Sequence, residues 1–133
     1  MARMRGSRTM GERGSATVEF ALVLPLVLVM ALALVQVGLL VKDQVVVEEA
    51  ARAGARQAAV TVEDQEVRDA AVAAAVSLDA DQLEVSVDRE GGAGAAVTVT
   101  VVYHAPVDIP LVSWLFPQSV DLTGAATMRQ EVG

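Results

Sequence analysis

The residues best placed to take part in chemistry stand together near the N-terminus, in the run Arg13-Gly14-Ser15-Ala16-Thr17-Val18-Glu19-Phe20. Glu19 sets a carboxylate directly ahead of an apolar stretch, and an ionised group at the edge of a membrane is costly without a partner. The positive end of a helix dipole or interfacial water would satisfy it. Elsewhere the candidates are sparse. His104 is the single histidine and the chain has no cysteine; one imidazole without thiolates or a tight carboxylate cluster does not make a transition-metal site. Glu63, Asp64, Glu66 and Asp69 are dense in acid but lack the spacing of a calcium loop. They read as acids of a first helical turn, with weak Ca²⁺ binding as the alternative. Gly91-Gly92-Ala93-Gly94 leads from one strand into another rather than into a helix, so it does not cradle a phosphate, and no serine lies in a nucleophile motif. No catalytic, cofactor-binding or metal-ligating residue is expected, and no enzymatic activity or small-molecule substrate.

The element that would position Glu19 is the 22-residue run Phe20–Val41, which carries no charge. As a helix at 1.5 Å per residue it extends about 33 Å, enough to cross a bilayer. A secretory signal peptide is the competing reading, since Ala31-Leu32-Ala33 offers an A-x-A cleavage site. Cleavage there would leave the strongly apolar Leu34–Val41 as an exposed new N-terminus, whereas a spanning helix uses the whole run. Charge sets its direction. Residues 1–14 hold Arg3, Arg5, Arg8 and Arg13 against Glu12 alone, while Lys42 to Gly133 hold six basic and fifteen acidic residues. By the positive-inside rule the basic leader stays in the cytoplasm and the acidic part is extracytoplasmic, as a single-pass protein of the cell membrane. A net charge of −9 on the outer part also argues against nucleic-acid partners.

Gly14-Ser15-Ala16-Thr17-Val18-Glu19-Phe20-Ala21-Leu22-Val23-Leu24-Pro25, followed by Glu48-Glu49-Ala50-Ala51-Arg52-Ala53-Gly54-Ala55-Arg56, resembles the TadE-like family of Tad (tight adherence) pilus assembly. A glycine followed at the fifth position by Glu and at the sixth by Phe is similar to the processing site of type IV pilin-like proteins. The resemblance implies a minor pseudopilin of a Tad-type pilus or secretion system. It further implies a prepilin peptidase that cuts after Gly14, making Ser15 the mature N-terminus. The glutamate's family role, setting register by pairing with the freed amine of a neighbouring subunit, falls to Glu19, with Phe20 beside it. Implied partners are other pilin-like subunits and the Tad inner-membrane assembly machinery. Larger TadG-like relatives share the helix and need not be cleaved, so the alternative is an uncleaved membrane-anchored accessory protein that binds a pilus subunit or an extracellular partner. An anchored hydrolase is a third reading, and it lacks residues.

Beyond Val41 no breaker other than Gly54 interrupts the pattern to Val60, so the helix is expected to continue as a stalk over 42–60, giving a transmembrane and stalk element over 15–60. Val47, Ala50, Ala51, Gly54 and Ala58 share one face, with Glu48, Glu49, Arg52 and Arg56 opposite. The Ala50, Gly54, Ala58 spacing allows close backbone approach. Residues 61–133 form an extracytoplasmic domain. Thr61 is expected to cap a second helix from about Glu63 to Ser77, with Val67, Ala70, Ala71, Ala74 and Leu78 as its apolar stripe. The period then changes to two. Leu83, Val85 and Val87, then Val97, Val99, Val101 and Tyr103 after a glycine loop, then Val120, Leu122, Gly124, Ala126 and Met128 make three alternating runs. The fold class is therefore α+β, pilin-like: a long N-terminal helix, a second short helix and a small three-stranded antiparallel sheet covered on one face. Aromatics make up only 3% of the chain, which favours a smooth core over a ligand pocket. Between the second and third strands, Ala105 to Pro117 contains three prolines and the single tryptophan, and the prolines argue against a regular element there. Trp114, Leu115 and Phe116 either plug the end of the core or present an apolar contact patch to a neighbouring subunit or to lipid headgroups.

Overall fold

The computed structural model describes residues 9–110 and 113–133; the side chains of Thr9, Met10 and Leu115 lie outside the described residues. Its elements are α1 (Thr9–Val60), α2 (Asp64–Ala74), a 3-10 turn (Ala80–Gln82), β1 (Leu83–Arg89), β2 (Ala96–Pro106), a second 3-10 turn (Ser113–Leu115) and β3 (Ser119–Arg129). The chain divides into two units, Met1–Val35 and Gln36–Gly133. This is the α+β layout expected from the periodicities.

In the first unit the described residues belong to α1 alone. Phe20, Leu22, Leu26 and Leu34 stand mostly in the open, and none of the most apolar window of the helix is buried. Among the described residues nothing covers this stretch. The helix runs through Pro25, whose missing N–H costs one bond to the carbonyl four residues earlier.

The second unit is a two-layer sandwich of helix on sheet. Its sheet has the order β1-β2-β3 with both pairings antiparallel, Val85 opposite Val101 and Val101 opposite Gly124. Each strand turns its odd-numbered or even-numbered apolar set inward as the alternation requires: Leu83, Val85 and Val87 on β1, Val97 to Ala105 on β2, Leu122 to Met128 on β3. Three strands with one apolar face need a cover, and α1 and α2 supply it. Val47, Ala50, Ala51, Ala55 and Ala58 of α1 and Val67, Ala71 and Ala75 on or just beyond α2 are buried in one cluster with Val97, Val99 and Val101. Glu48 and Arg52 stay outside, 3.4 Å apart.

Two glycines permit this contact. A Cβ built at Gly54 would lie 2.9 Å from Val99 Cγ1 and 3.3 Å from the Ala71 methyl. One at Gly124 would lie 2.9 Å from the Val47 carbonyl oxygen and 3.0 Å from Glu48 Cα. At its other end α1 finishes with its free carbonyls answered by the sheet. Arg89 Nη1 donates to Ala58 O at 3.1 Å, while the Glu131 N–H donates to Ala59 O at 2.7 Å and Thr61 N–H to Gln57 O at 3.0 Å. Those orphan acceptors would otherwise cost desolvation energy, and the guanidinium also faces the negative end of the helix dipole.

Three expectations are corrected. Thr61 does not cap α2: the N-cap is Glu63, which makes no side-chain cap bond, and Thr61 Oγ1 instead accepts from the Glu63 N–H at 3.2 Å, bending the short connection from α1. The helix ends at Ala74 rather than near Ser77, because the Ala75 N–H turns back to Val72 O. Trp114 and Phe116 do not plug the core, being 79% and 41% exposed; the Leu115 side chain lies outside the described residues. The inward alternation of β2 continues past Pro106 to Ile109, which is 4% exposed. The prolines also leave room for one 3-10 turn at Ser113–Leu115.

The two glycines predict an order of destabilisation. Gly54→Ala gains about 1 kcal/mol of helix propensity against about 1–3 kcal/mol of overpacking, and a valine side chain can shift a little. At Gly124 the obstacle is α1 backbone, which cannot. Gly124→Ala should therefore lower the unfolding midpoint of the full chain in detergent, followed by circular dichroism, more than Gly54→Ala does. The reverse order would contradict the packing described.

Candidate functional site

Arg13 to Phe20 lie within α1, so the Gly14–Ser15 peptide bond is helical. Thr17 Oγ1 donates to the Arg13 carbonyl at 2.9 Å, a local bond that occupies the hydroxyl one turn along. Gly14, Ser15 and Glu19 are all exposed, and a Cβ at Gly14 would meet nothing within 4 Å. Glycine there is not demanded by packing, in contrast to Gly54 and Gly124. Ser15 and Glu19 are four residues apart on one helix, hence on one face a turn apart, and Phe20 stands beside Glu19 with its ring open. The carboxylate is available to a partner from outside the chain.

The other residues singled out from the sequence are placed differently. Ala50 and Ala58 are fully buried and Gly54 is covered by Val99 and Ala71, so this face is consumed by the chain's own sheet. The acids at the start of α2 disperse. Asp64 takes Arg89 at 3.1 Å, Glu66 accepts from Gln57 Nε2 at 3.3 Å, and Asp69 accepts from Gln65 Nε2 at 2.9 Å. Among the described residues no group of three His, Cys, Asp or Glu is arranged to hold a metal ion.

One polar cluster was missed. On the outer face of the sheet His104 of β2 stands between Asp121 of β3, Nδ1 to Oδ1 at 2.6 Å, and Glu84 of β1, Nε2 to Oε1 at 3.4 Å. The sequence carried a signal only in that all three are outward positions of alternating runs; which of them meet depends on two strand registers. Hydrogen bonding to Asp121 first, then to Glu84, raises the imidazole above its ordinary pKa, because both carboxylates favour the charged ring. Any stability this adds is fully present below the ordinary histidine value and is lost as pH rises through the raised one. At an exposed site its worth is small. In NMR titrations of the full chain in detergent, His104 should titrate above the ordinary value. Asp121→Asn should lower its pKa more than Glu84→Gln; an unshifted wild-type histidine would contradict the geometry.

Comparison with known proteins bears on the N-terminal helix. No curated protein and no solved structure matches the chain significantly. A family model does, described as TadE-like protein, over residues 14–56. That span starts at the glycine of the exposed Gly14-to-Phe20 cluster and runs through the apolar stretch into the small-residue face that meets the sheet. Over residues 14–56, under half of its length, the chain is similar to TadE-like proteins, through the helix that is long and apolar enough to cross a membrane.

Proposed function

We propose that the chain is a minor pseudopilin, a non-catalytic structural component of a Tad-type pilus or secretion apparatus. Phe20–Val41 holds it in the cell membrane with the basic leader in the cytoplasm and residues 61–133 outside. A prepilin peptidase cuts after Gly14, and Glu19 then pairs with the new α-amine of Ser15 in a neighbouring pilin-like subunit. The observation that carries this reading is the TadE-like match over 14–56, which begins at the residue whose bond would be cut. The geometry adds support: Gly14 is sterically open, and Glu19 is exposed and makes no ion pair among the described residues. In an apolar bundle an unpaired carboxylate or ammonium costs several kcal/mol, so each charge would select for the other and fix register. Membrane insertion also brings the chain to the inner-membrane assembly machinery that would receive it.

One observation favours the second reading, an uncleaved anchored accessory protein that binds a pilus subunit or an extracellular partner. The Gly14–Ser15 bond is helical, and a peptidase must first unwind it. Glycine eases that unwinding, being about 1 kcal/mol less favourable than alanine in a helix, so the local sequence lowers that barrier.

Intact mass of the membrane-extracted protein, together with recovery of pilin-like subunits, separates the two. The wild type should lack its first fourteen residues and Gly14→Leu should stay at full length. Glu19→Ala should be cut yet recover partner subunits at least about tenfold less well, since 1.4 kcal/mol is a factor of ten, with Glu19→Asp in between. An uncut wild type with normal partner recovery in all three variants would leave the anchored accessory protein standing.

A further inference from the structure

Within the second unit, β3 and α1 run in the same direction. Gln44 Nε2 donates to Thr123 O at 3.0 Å, Gly124 abuts the Val47 backbone, and further along both elements the Glu131 N–H reaches Ala59 O. Going back along β3 from Gly124 to Ser119 covers about 16 Å at 3.3 Å per residue, the rise of roughly eleven residues of helix. The start of β3 is therefore level with about Gln36 of α1, and Leu40, on the same stretch, does pack against the core cluster. Ser119 pairs with Pro106, the last residue of β2, and the Val107 N–H donates to Gln118 O at 2.9 Å to close the base of the loop between them. That loop leaves the sheet at this end.

The consequence is one of depth. Gln36 lies six residues, about 9 Å, on the apolar side of Lys42, whose ion pair with Asp43 at 3.4 Å marks the first charges after the apolar run. A loop at that level is beside the part of α1 that lipid would surround. Its composition fits the place. Trp114 is 79% and Phe116 41% exposed, Asp108 is the loop's only charged residue, and Pro106, Pro110 and Pro117 remove backbone N–H donors that lipid could not satisfy. Trp is the residue favoured where one side is apolar and the other wet.

We propose that Ser113 to Pro117, in the loop between β2 and β3, form a second membrane contact, with Trp114 and Phe116 inserted at the boundary between lipid headgroups and acyl chains. The inference rests on Phe20–Val41 spanning the bilayer and not on cleavage after Gly14. The domain is then held to the membrane surface at two points, and the outer face of its sheet is the part left to partners.

Trp114 is the only tryptophan, so its fluorescence in the full chain reports the loop alone. In vesicles of phosphatidylethanolamine and phosphatidylglycerol, the emission should be blue-shifted and fall roughly twofold with lipids brominated near the headgroup, less with bromines at the acyl end, as for an interfacial indole. The loss should persist as protein is diluted with lipid. A blue shift that vanishes on dilution would mean that a second copy covers the loop, and quenching by aqueous acrylamide without bromine quenching would mean that water does; either overturns the proposal. A Trp114→Phe, Leu28→Trp double variant reads the span separately. If that tryptophan is quenched by acyl bromines while Trp114 in the wild type is not, only the loop contact fails. If neither is quenched, the spanning reading fails and the loop contact with it.

Discussion

The close approach of α1 to the inner face of the sheet is the constraint on which the second unit depends. Gly124 brings β3 against the backbone at Val47 and Glu48, and Gly54 brings α1 against Val99 and α2. Along this stretch the helix offers Ala50, Ala51, Ala55 and Ala58, all fully buried. A small-residue face gives little apolar area per residue, so the stabilisation must come from close packing along several turns. The largest fully buried side chains are valines, Val47, Val67, Val97, Val99 and Val101. A core of that kind holds a three-stranded sheet only with the helix in place, and it leaves a narrow margin of stability.

The composition of this helix changes along its length. Over Phe20–Val41 it is bulky and apolar on all sides, as a segment surrounded by lipid must be. From Val47 onward one side turns to alanine and glycine while Glu48, Glu49, Arg52 and Arg56 occupy the other. The TadE-like match crosses this change, so the family segment contains both the membrane-compatible stretch and much of the surface on which the outer domain is built. Residues 57–133 lie outside the match, and their sheet has to satisfy that surface with its own sequence.

Much of this was legible because it depends on parity and period. Inward residues of a strand are fixed once one of them is, and the face Val47, Ala50, Ala51, Gly54, Ala58 follows from 100° per residue. What depends on register or on competition between neighbours was not legible. The His104, Glu84 and Asp121 cluster requires both strand pairings at once. Arg89 closing the end of α1 joins residues 31 positions apart, and no local rule brings a strand arginine to a helix terminus. Thr61 looked like a cap because cap chemistry is local, yet the tight link from α1 turned its hydroxyl to Glu63 instead. Trp114 looked like a core residue by size, yet it is exposed, while Ile109, which continues the alternation of β2, is buried. For Gly14 and Glu19 the sequence pattern itself remains the stronger guide, since their surroundings in this chain are open.

If Phe20–Val41 lies in lipid, α1 passes from that stretch to contact with the sheet on a single side, which begins at Leu40 and is complete from Val47 to Ala59. The chain has no cysteine, so single cysteines can be introduced along residues 20–60 and tested in intact cells with a membrane-impermeant maleimide. The account predicts uniform protection from Phe20 to Val41, followed by labelling that oscillates with the 3.6-residue helical period, strong at Glu49, Arg52 and Arg56 and weak at Ala51, Ala55 and Ala58. The same oscillation extending back through Phe20–Val41, or uniform labelling across the whole helix, would contradict it.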